Sequence, residues 1–98
     1  MTNGENGGSF EARRKKLLFR AQRRGFKEVD LVFGTFAAAE LTGMAEAELD
    51  QFEALMAVPD QDVYAWLQGV VQVPTSFDTP VFRRMRMLCV RKDPRWNV

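Results

Sequence analysis

Glycine and proline divide this chain of 98 residues into segments of helix length. Within these segments, apolar residues recur at the spacing of one helix face, and no stretch alternates apolar and polar residues as a half-buried strand does. A chain of this length is sufficient for one hydrophobic core. We therefore predict an all-α fold, a small compact bundle of about five short helices in a single domain.

The same punctuation sets the predicted helix boundaries. The five helices are expected at residues 10–24, 27–41, 45–58, 61–68 and 80–91. Gly25 is a candidate left-handed cap after the first helix, and Gly69 ends the fourth. Asp60 is the predicted N-cap of the fourth helix. In the fifth helix, Thr79 is the predicted N-cap and Pro80 the first helical residue.

The remaining segments are predicted as a loop and two tails. The valine-rich residues 70–78 are expected to form a loop, because Pro74 follows the valines at once. Residues 1–9, rich in Gly and Asn, are predicted to be a flexible N-terminal tail. The helical domain then covers residues 10–91, and residues 92–98 are a loose C-terminal tail.

Helical spacing also selects the candidate core. The apolar residues expected to face inward are Phe10, Leu17, Leu18, Ala21, Leu31, Val32, Phe33, Phe36, Ala37, Leu41, Leu49, Phe52, Leu55, Met56, Val63, Tyr64, Trp66, Leu67, Phe82, Met85, Leu88 and Cys89. Phe19 points away from its neighbours, so it is either exposed or covered by another element. Gly34 inside the second helix costs about 1 kcal/mol relative to Ala, which is tolerable if another backbone packs closely there.

Few side chains in this chain could perform catalysis or bind a metal. Histidine is absent, and Cys89 is the only cysteine. These facts exclude His-based nucleophile pairs, an internal disulfide and CxxC motifs. No Gly-rich phosphate loop follows a strand. We therefore predict no enzyme activity, no catalytic residue, no metal site and no tightly bound cofactor.

No apolar run is long enough to cross a membrane, and the N-terminus lacks the apolar region of a secretory signal. We expect a bacterial cytoplasmic protein that is monomeric when free and has no membrane partner.

Charge is segregated along the chain. All 14 Lys and Arg residues lie before Glu28 or after Phe82, and the segment between them is acidic, although the net charge is only +1. The terminal helices could lie beside the acidic middle helices so that the charges offset locally. Alternatively, they could form a basic face for an acidic partner. Because the domain is not basic overall and shows no clear reading helix, we do not expect nucleic acid to be that partner.

The segment "RRGFKEVD", residues 23–30, carries the most specific motif. Arg24, Gly25 and Glu28 resemble the RGxxE motif of the succinate dehydrogenase assembly factor family, which comprises bacterial FAD assembly factors and their mitochondrial relatives. The resemblance continues through "LDQFEALM" and the acidic and aromatic segment "VPDQDVYAWLQG", and it covers roughly residues 12–89. Phe26 stands where bacterial relatives often carry Met.

The resemblance implies an all-helical assembly factor, or chaperone. Such a protein binds the flavoprotein subunit of succinate dehydrogenase, and of the related fumarate reductase. It promotes covalent attachment of FAD to a histidine of that subunit. The partner-binding residues implied are Arg24, Gly25 and Glu28 of the motif, with the neighbouring Arg23, Phe26 and Asp30.

Local geometry adds physical expectations for the same residues. Gly25 takes a left-handed backbone cheaply, and its missing side chain would also allow close approach by a partner. Arg24 and Glu28 could converge across the turn, either as a mutual ion pair or as groups offered to a partner. Asp30 could be a solvated or capping residue, or a contact. The alternative function is a small interaction or regulatory module, such as a nucleic-acid-binding or antitoxin-like protein, that uses its basic terminal helices.

Overall fold

Five α-helices and two short 3-10 turns make up the part of the chain that the structure describes. In this computed structural model, the backbone is described for residues 2–91 and the side chains for residues 10–89. The α-helices are α1 (Thr2–Ala21), α2 (Lys27–Glu40), α3 (Glu46–Met56), α4 (Asp60–Gln68) and α5 (Pro80–Arg91); the 3-10 turns are Leu41–Gly43 and Thr75–Phe77. The predicted all-α fold is confirmed, and the predicted loop at residues 70–78 contains only the second 3-10 turn.

The first helix differs from its predicted bounds at both ends. It begins at Thr2, so the backbone of residues 2–9, predicted as a flexible tail, is helical. Each residue added to an existing helix gains one backbone hydrogen bond, which favours such extension. At the other end α1 stops at Ala21 instead of Arg24, because the amide of Arg23 bonds the Arg20 carbonyl only three residues back and the amide of Arg24 bonds the Asp30 side chain. Residues 92–98, the predicted C-terminal tail, lie outside the described residues.

The later helix termini follow local signals, with one exception. Thr79 caps α5, since its Oγ1 accepts the N–H of Phe82 at 3.2 Å. Gly69 ends α4 with φ +78. The prediction of Asp60 as the N-cap of α4 is wrong, because Pro59 occupies that position and Asp60 is the first helical residue. The Asp60 side chain is engaged instead by a distant arginine, described below.

Helix α2 lies at the centre of the bundle, in contact with α1, α4 and α5, while α3 packs against α1 and α5. The ring of Phe52 on α3 lies 5.7 Å from that of Phe33 and 6.0 Å from that of Phe36 on α2, measured between centroids. The buried residues are Leu17, Ala21, Val29, Val32, Phe33, Phe36, Ala37, Leu41, Met44, Leu49, Phe52, Leu55, Met56, Val58, Val63, Leu67, Val81, Phe82 and Met85. This core matches most of the predicted one.

Several predicted core residues are only half-buried: Phe10, Leu18, Leu31, Tyr64, Trp66, Leu88 and Cys89. Phe19 is 57% exposed, which settles the alternative left open for it. The close approach required at Gly34 is present, because a Cβ added there would lie 3.1 Å from Cγ of Gln22 at the end of α1. The missing side chain therefore lets α1 and α2 meet next to the connection between them.

Part of the segregated charge is offset within the bundle. Arg13 on α1 pairs with Asp50 and Glu53 on α3, each at 2.7 Å. Arg84 on α5 reaches Glu48 at 3.1 Å and Glu40 at 3.6 Å. Other basic side chains have no ion pair among the described residues, namely Arg14, Lys15, Lys16, Arg20, Arg23, Lys27 and Arg86. Local offset therefore accounts for part of the charge pattern, and a basic face for an acidic partner stays a prediction for the other residues.

Candidate functional site

The candidate site is the connection between α1 and α2, which we call the corner (residues 22–30). After α1 ends, the amide of Gln22 still reaches the carbonyl of Leu18 at 3.2 Å, and that of Arg23 reaches Arg20 at 3.1 Å. Gly25 then takes φ +100, the predicted left-handed conformation, although it lies beyond the helix end and not directly at it. No atom lies within 4 Å of a Cβ added at Gly25, so only the backbone angle disfavours a side chain there.

Asp30 holds the corner from within α2. Its Oδ1 accepts the backbone N–H of Arg24 in a short hydrogen bond and that of Gly25 at 3.0 Å. Both amides follow the end of α1 and have no acceptor within that helix, so the Asp30 carboxylate takes its place. Of the roles considered for Asp30, the geometry therefore shows a capping one. This carboxylate fixes the path of the glycine turn relative to the first turn of α2.

The Arg24 side chain points inward and joins three segments. Its Nη1 donates to the Met56 carbonyl at 2.7 Å, and Nη2 donates to the Val58 carbonyl at 2.7 Å. Both Nε and Nη2 lie 2.6 Å from Oδ1 of Asp60, and the guanidinium lies 4.6 Å from the ring centroid of Phe33. Only 8% of the side chain is exposed.

These contacts correct the expectation that Arg24 converges with Glu28 or is offered to a partner. The Met56 carbonyl at the end of α3 has no intrahelical donor. The planar guanidinium satisfies it and the Val58 carbonyl in the α3–α4 connection, while pairing with the first residue of α4. The positive charge also suits the negative end of the α3 dipole. Arg24 is thus a structural residue that ties the corner to the α3–α4 junction.

Glu28 remains without a hydrogen bond or ion pair among the described side chains. It is half-buried and lies in the first turn of α2, where the helix dipole stabilises its charge. Its carboxylate lies near Tyr64 on α4, whose pKa is raised mainly by burial and further by the charge of Glu28. The motif therefore contains one carboxylate that the fold does not use.

Phe26 and Tyr64 form the apolar part of this surface. Their ring centroids lie 5.5 Å apart with the planes tilted by 56°, and both side chains are half-buried. Gly25, Phe26, Glu28 and Tyr64 together are called the corner surface. Sequence reasoning assigned Tyr64 only to the core, although the acidic and aromatic segment that contains it could have indicated its proximity to the motif.

Arg23 lies on the other side of the corner and is exposed. Its guanidinium stacks 3.9 Å from the ring centroid of the exposed Phe19, and Nη1 donates to the Phe19 carbonyl at 3.4 Å. Of the six residues predicted to bind a partner, the structure leaves Arg23 and Gly25 exposed and Phe26, Glu28 and Asp30 half-buried. Asp30 also caps the turn, and the Arg24 side chain is directed into the fold.

The described residues offer little sign of metal binding or membrane insertion. Within residues 2–91, no three His, Cys, Asp or Glu side chains come together as a metal-binding group. In the same part of the chain, every helix is too short or too polar to span a bilayer. What remains is a surface of one carboxylate, two aromatic rings and a glycine turn, a composition suited to contact with another macromolecule.

The fold and the corner define a small all-helical protein whose distinctive surface is an RGxxE turn between its first two helices. The chain belongs to the family described as flavinator of succinate dehydrogenase, whose sequence profile matches residues 15–89. This range includes the corner and Tyr64. The resemblance drawn from the motif is thereby confirmed.

Curated relatives carry names in keeping with this family. The chain is 39% identical over 74 residues to the FAD assembly factor SdhE of Acetobacter pasteurianus, covering 76% of this chain and 68% of the relative. It is 34% identical over 84 residues to the mitochondrial succinate dehydrogenase assembly factor 2 of Dictyostelium discoideum, covering 86% of this chain and 59% of the relative. This chain thus spans well under the full length of both relatives. Both are named as assembly factors.

Proposed function

We propose that this protein binds the flavoprotein subunit of succinate dehydrogenase and promotes covalent attachment of FAD to a histidine of that subunit. Fumarate reductase is a second target of the same kind. The observation that carries the proposal is the unused carboxylate of Glu28 beside Phe26 and Tyr64, on a turn that Arg24 and Asp30 hold in place. The names of its relatives support the same role.

The proposed mechanism is positional and needs no catalytic group in this chain. The sequence contains no histidine, so the flavinylated residue belongs to the partner. A rigid surface that binds one arrangement of the partner would raise the population in which its histidine and FAD are aligned. The flavin's own reactivity would then form the bond. We infer an assembly factor that is not an enzyme, binds no FAD tightly, is monomeric when free and acts in a bacterial cytoplasm.

The bundle favours this role over nucleic-acid binding by the terminal helices. Arg13 and Arg84 are paired with carboxylates of α2 and α3, and Arg14 donates to the carbonyls of Leu41 and Met44. Three of the arginines counted in the sequence are therefore already engaged within the fold. These three arginines are not free to contact phosphates, which lowers the number of counterions that nucleic-acid binding could release.

The decisive experiment is Glu28→Ala in a strain that lacks the native factor. Covalent flavin in the partner subunit is measured by in-gel fluorescence, and a melting curve verifies the fold. We expect sharply reduced flavinylation with under about 1 kcal/mol of destabilisation, because Glu28 contributes only its dipole interaction to folding. The matched control is Glu46→Ala, an exposed acidic residue in the first turn of α3. A folded Glu28→Ala protein that restores full covalent flavin would falsify the proposal.

A further inference from the structure

A second surface lies beside the corner, in an open cleft of about 400 Å³ between the end of α1 and the α3–α4 junction. We call it the arginine cleft. Its lining residues are Phe19, Arg20, Arg23, Arg24, Met56, Pro59 and Asp60. The Arg24 and Asp60 charges neutralise each other across 2.6 Å. The positive charges that remain for a ligand are those of Arg20 and Arg23, neither of which has an ion pair among the described residues.

The Arg23 side chain is held in position before any ligand binds. Its guanidinium is stacked at 3.9 Å on the Phe19 ring and anchored by one N–H to the Phe19 carbonyl. Stacking leaves the guanidinium N–H groups that point away from the Phe19 carbonyl free to donate. A carboxylate can accept from two such N–H groups through parallel hydrogen bonds. Because the side chain is held before binding, less conformational entropy is lost when a ligand arrives.

Phe19 adds an apolar component that the fold itself does not use. Phe19 is 57% exposed. Met56 and Pro59 lie on the opposite side of the cleft. A ligand that fits therefore places an apolar group between these residues and a negative group against Arg20 and Arg23.

We propose that the arginine cleft binds an acidic segment of a partner protein, with a carboxylate next to an apolar side chain. Charge complementarity supports a protein segment over nucleic acid. The two free guanidinium groups share the cleft with the apolar Phe19, Met56 and Pro59 and with the Asp60 carboxylate. A phosphate backbone would meet this carboxylate and leave the apolar residues without a partner, whereas a protein segment can match charge and apolar surface together. The identification of the partner as the flavoprotein subunit rests on the proposed function. The inference that the ligand is acidic and partly apolar rests on the cleft alone.

The test uses the full chain labelled with ¹⁵N and two short capped peptides. One has the sequence Leu-Glu-Asp-Leu and the other the neutral isostere Leu-Gln-Asn-Leu. We expect the acidic peptide alone to shift amide signals of residues 19–25, 56–58, 60 and 61. Its Kd should rise about fivefold to tenfold in the double variant Arg20→Gln/Arg23→Gln, the effect of losing charged hydrogen bonds at a partly exposed site. The matched control, Lys15→Gln/Arg86→Gln, removes two exposed charges elsewhere and should change Kd little.

Several results would overturn the inference. They are shifts located elsewhere, equal binding of the neutral peptide, equal effects of the two double variants, or displacement of the acidic peptide by a short oligothymidine. A separate arm measures binding of the purified flavoprotein subunit to wild type, to the cleft double variant and to Glu28→Ala. If wild type does not bind the flavoprotein subunit, the proposed function is wrong. The peptide result then still shows whether the arginine cleft binds an acidic segment. If only Glu28→Ala loses binding, the cleft does not serve this partner.

Discussion

The guanidinium of Arg24 spans the end of α3, with Nη1 2.7 Å from the carbonyl oxygen of Met56 across 32 residues of sequence. The same group holds the Val58 carbonyl and the Asp60 carboxylate. The arginine of the RGxxE motif is therefore directed into the fold, while the glutamate remains outside. Within the five residues of the motif, the arginine therefore stabilises the fold and the glutamate is accessible to a partner.

Arg24→Ala should destabilise the protein by about 2–4 kcal/mol, because it leaves two carbonyls and a partly buried carboxylate without their donors. Urea unfolding measures this loss. Arg23→Ala is the matched control, and since Arg23 is exposed we expect a change within about 0.5 kcal/mol. An Arg24→Ala protein as stable as the control would show that the network contributes nothing to folding.

The elements that sequence predicted correctly have local causes. The Thr79 hydroxyl caps an amide three residues away, and Gly69 and Gly25 adopt the left-handed backbone that glycine favours. Such signals can be read from a short window of sequence. The helical spacing of apolar residues likewise placed Leu17, Phe33 and Phe52 in the core.

The roles of Arg24 and Asp60 could not be predicted in this way. Local spacing placed Arg24 next to Glu28 and made Asp60 a helix cap, but the two residues meet each other across 36 positions. Only the packing of α1 and α2 against the α3–α4 junction brings them together. Tyr64 was missed as part of the corner surface for the same reason, because its contact with Phe26 is tertiary.

Acid should weaken the fold partly through Glu48. Its pKa is below the ordinary value of 4.5 because the carboxylate accepts the Ala45 amide and pairs with Arg84. A carboxyl with a lowered folded-state pKa stabilises the protein fully above its unfolded pKa, and this contribution is lost as pH falls through the folded value. The urea concentration at the unfolding midpoint of wild type should therefore decrease as the pH is lowered below 4.5.

Glu48→Gln removes this titration, so its midpoint should be lower near neutral pH and fall less on acidification. The control is Glu46→Gln, whose side chain has no hydrogen bond or ion pair among the described residues, and it should follow the wild-type profile. Identical pH profiles for all three proteins would contradict the assignment to Glu48.

Cys89 should be a slow nucleophile in the folded protein. Burial raises its thiol pKa from 9.0 to about 11, which lowers the thiolate fraction about a hundredfold at pH 8. We expect iodoacetamide, followed by mass spectrometry, to label native protein far more slowly than protein in concentrated urea. Equal rates in both conditions would show that the thiol is accessible and ionises normally.

The last prediction separates two roles of Gly25. At φ +100, an Ala should cost about 1–2 kcal/mol, because its Cβ is disfavoured in that conformation, and Arg should cost the same. Asn tolerates left-handed angles better, so Gly25→Asn should be more stable than Gly25→Ala in urea unfolding. Gly43→Ala, at a position with equal space and no positive φ, should be nearly neutral.

Flavinylation should follow a different order from stability. If a partner's backbone approaches Gly25 closely, any side chain there obstructs it, so Gly25→Asn and Gly25→Arg should both reduce covalent flavin sharply, although Asn costs less stability. In-gel flavin fluorescence of the partner subunit, compared at equal amounts of folded factor, measures this effect. If flavinylation instead tracks stability across the Asn, Ala and Arg variants, Gly25 is needed only for its backbone angle, and the close-approach role is wrong.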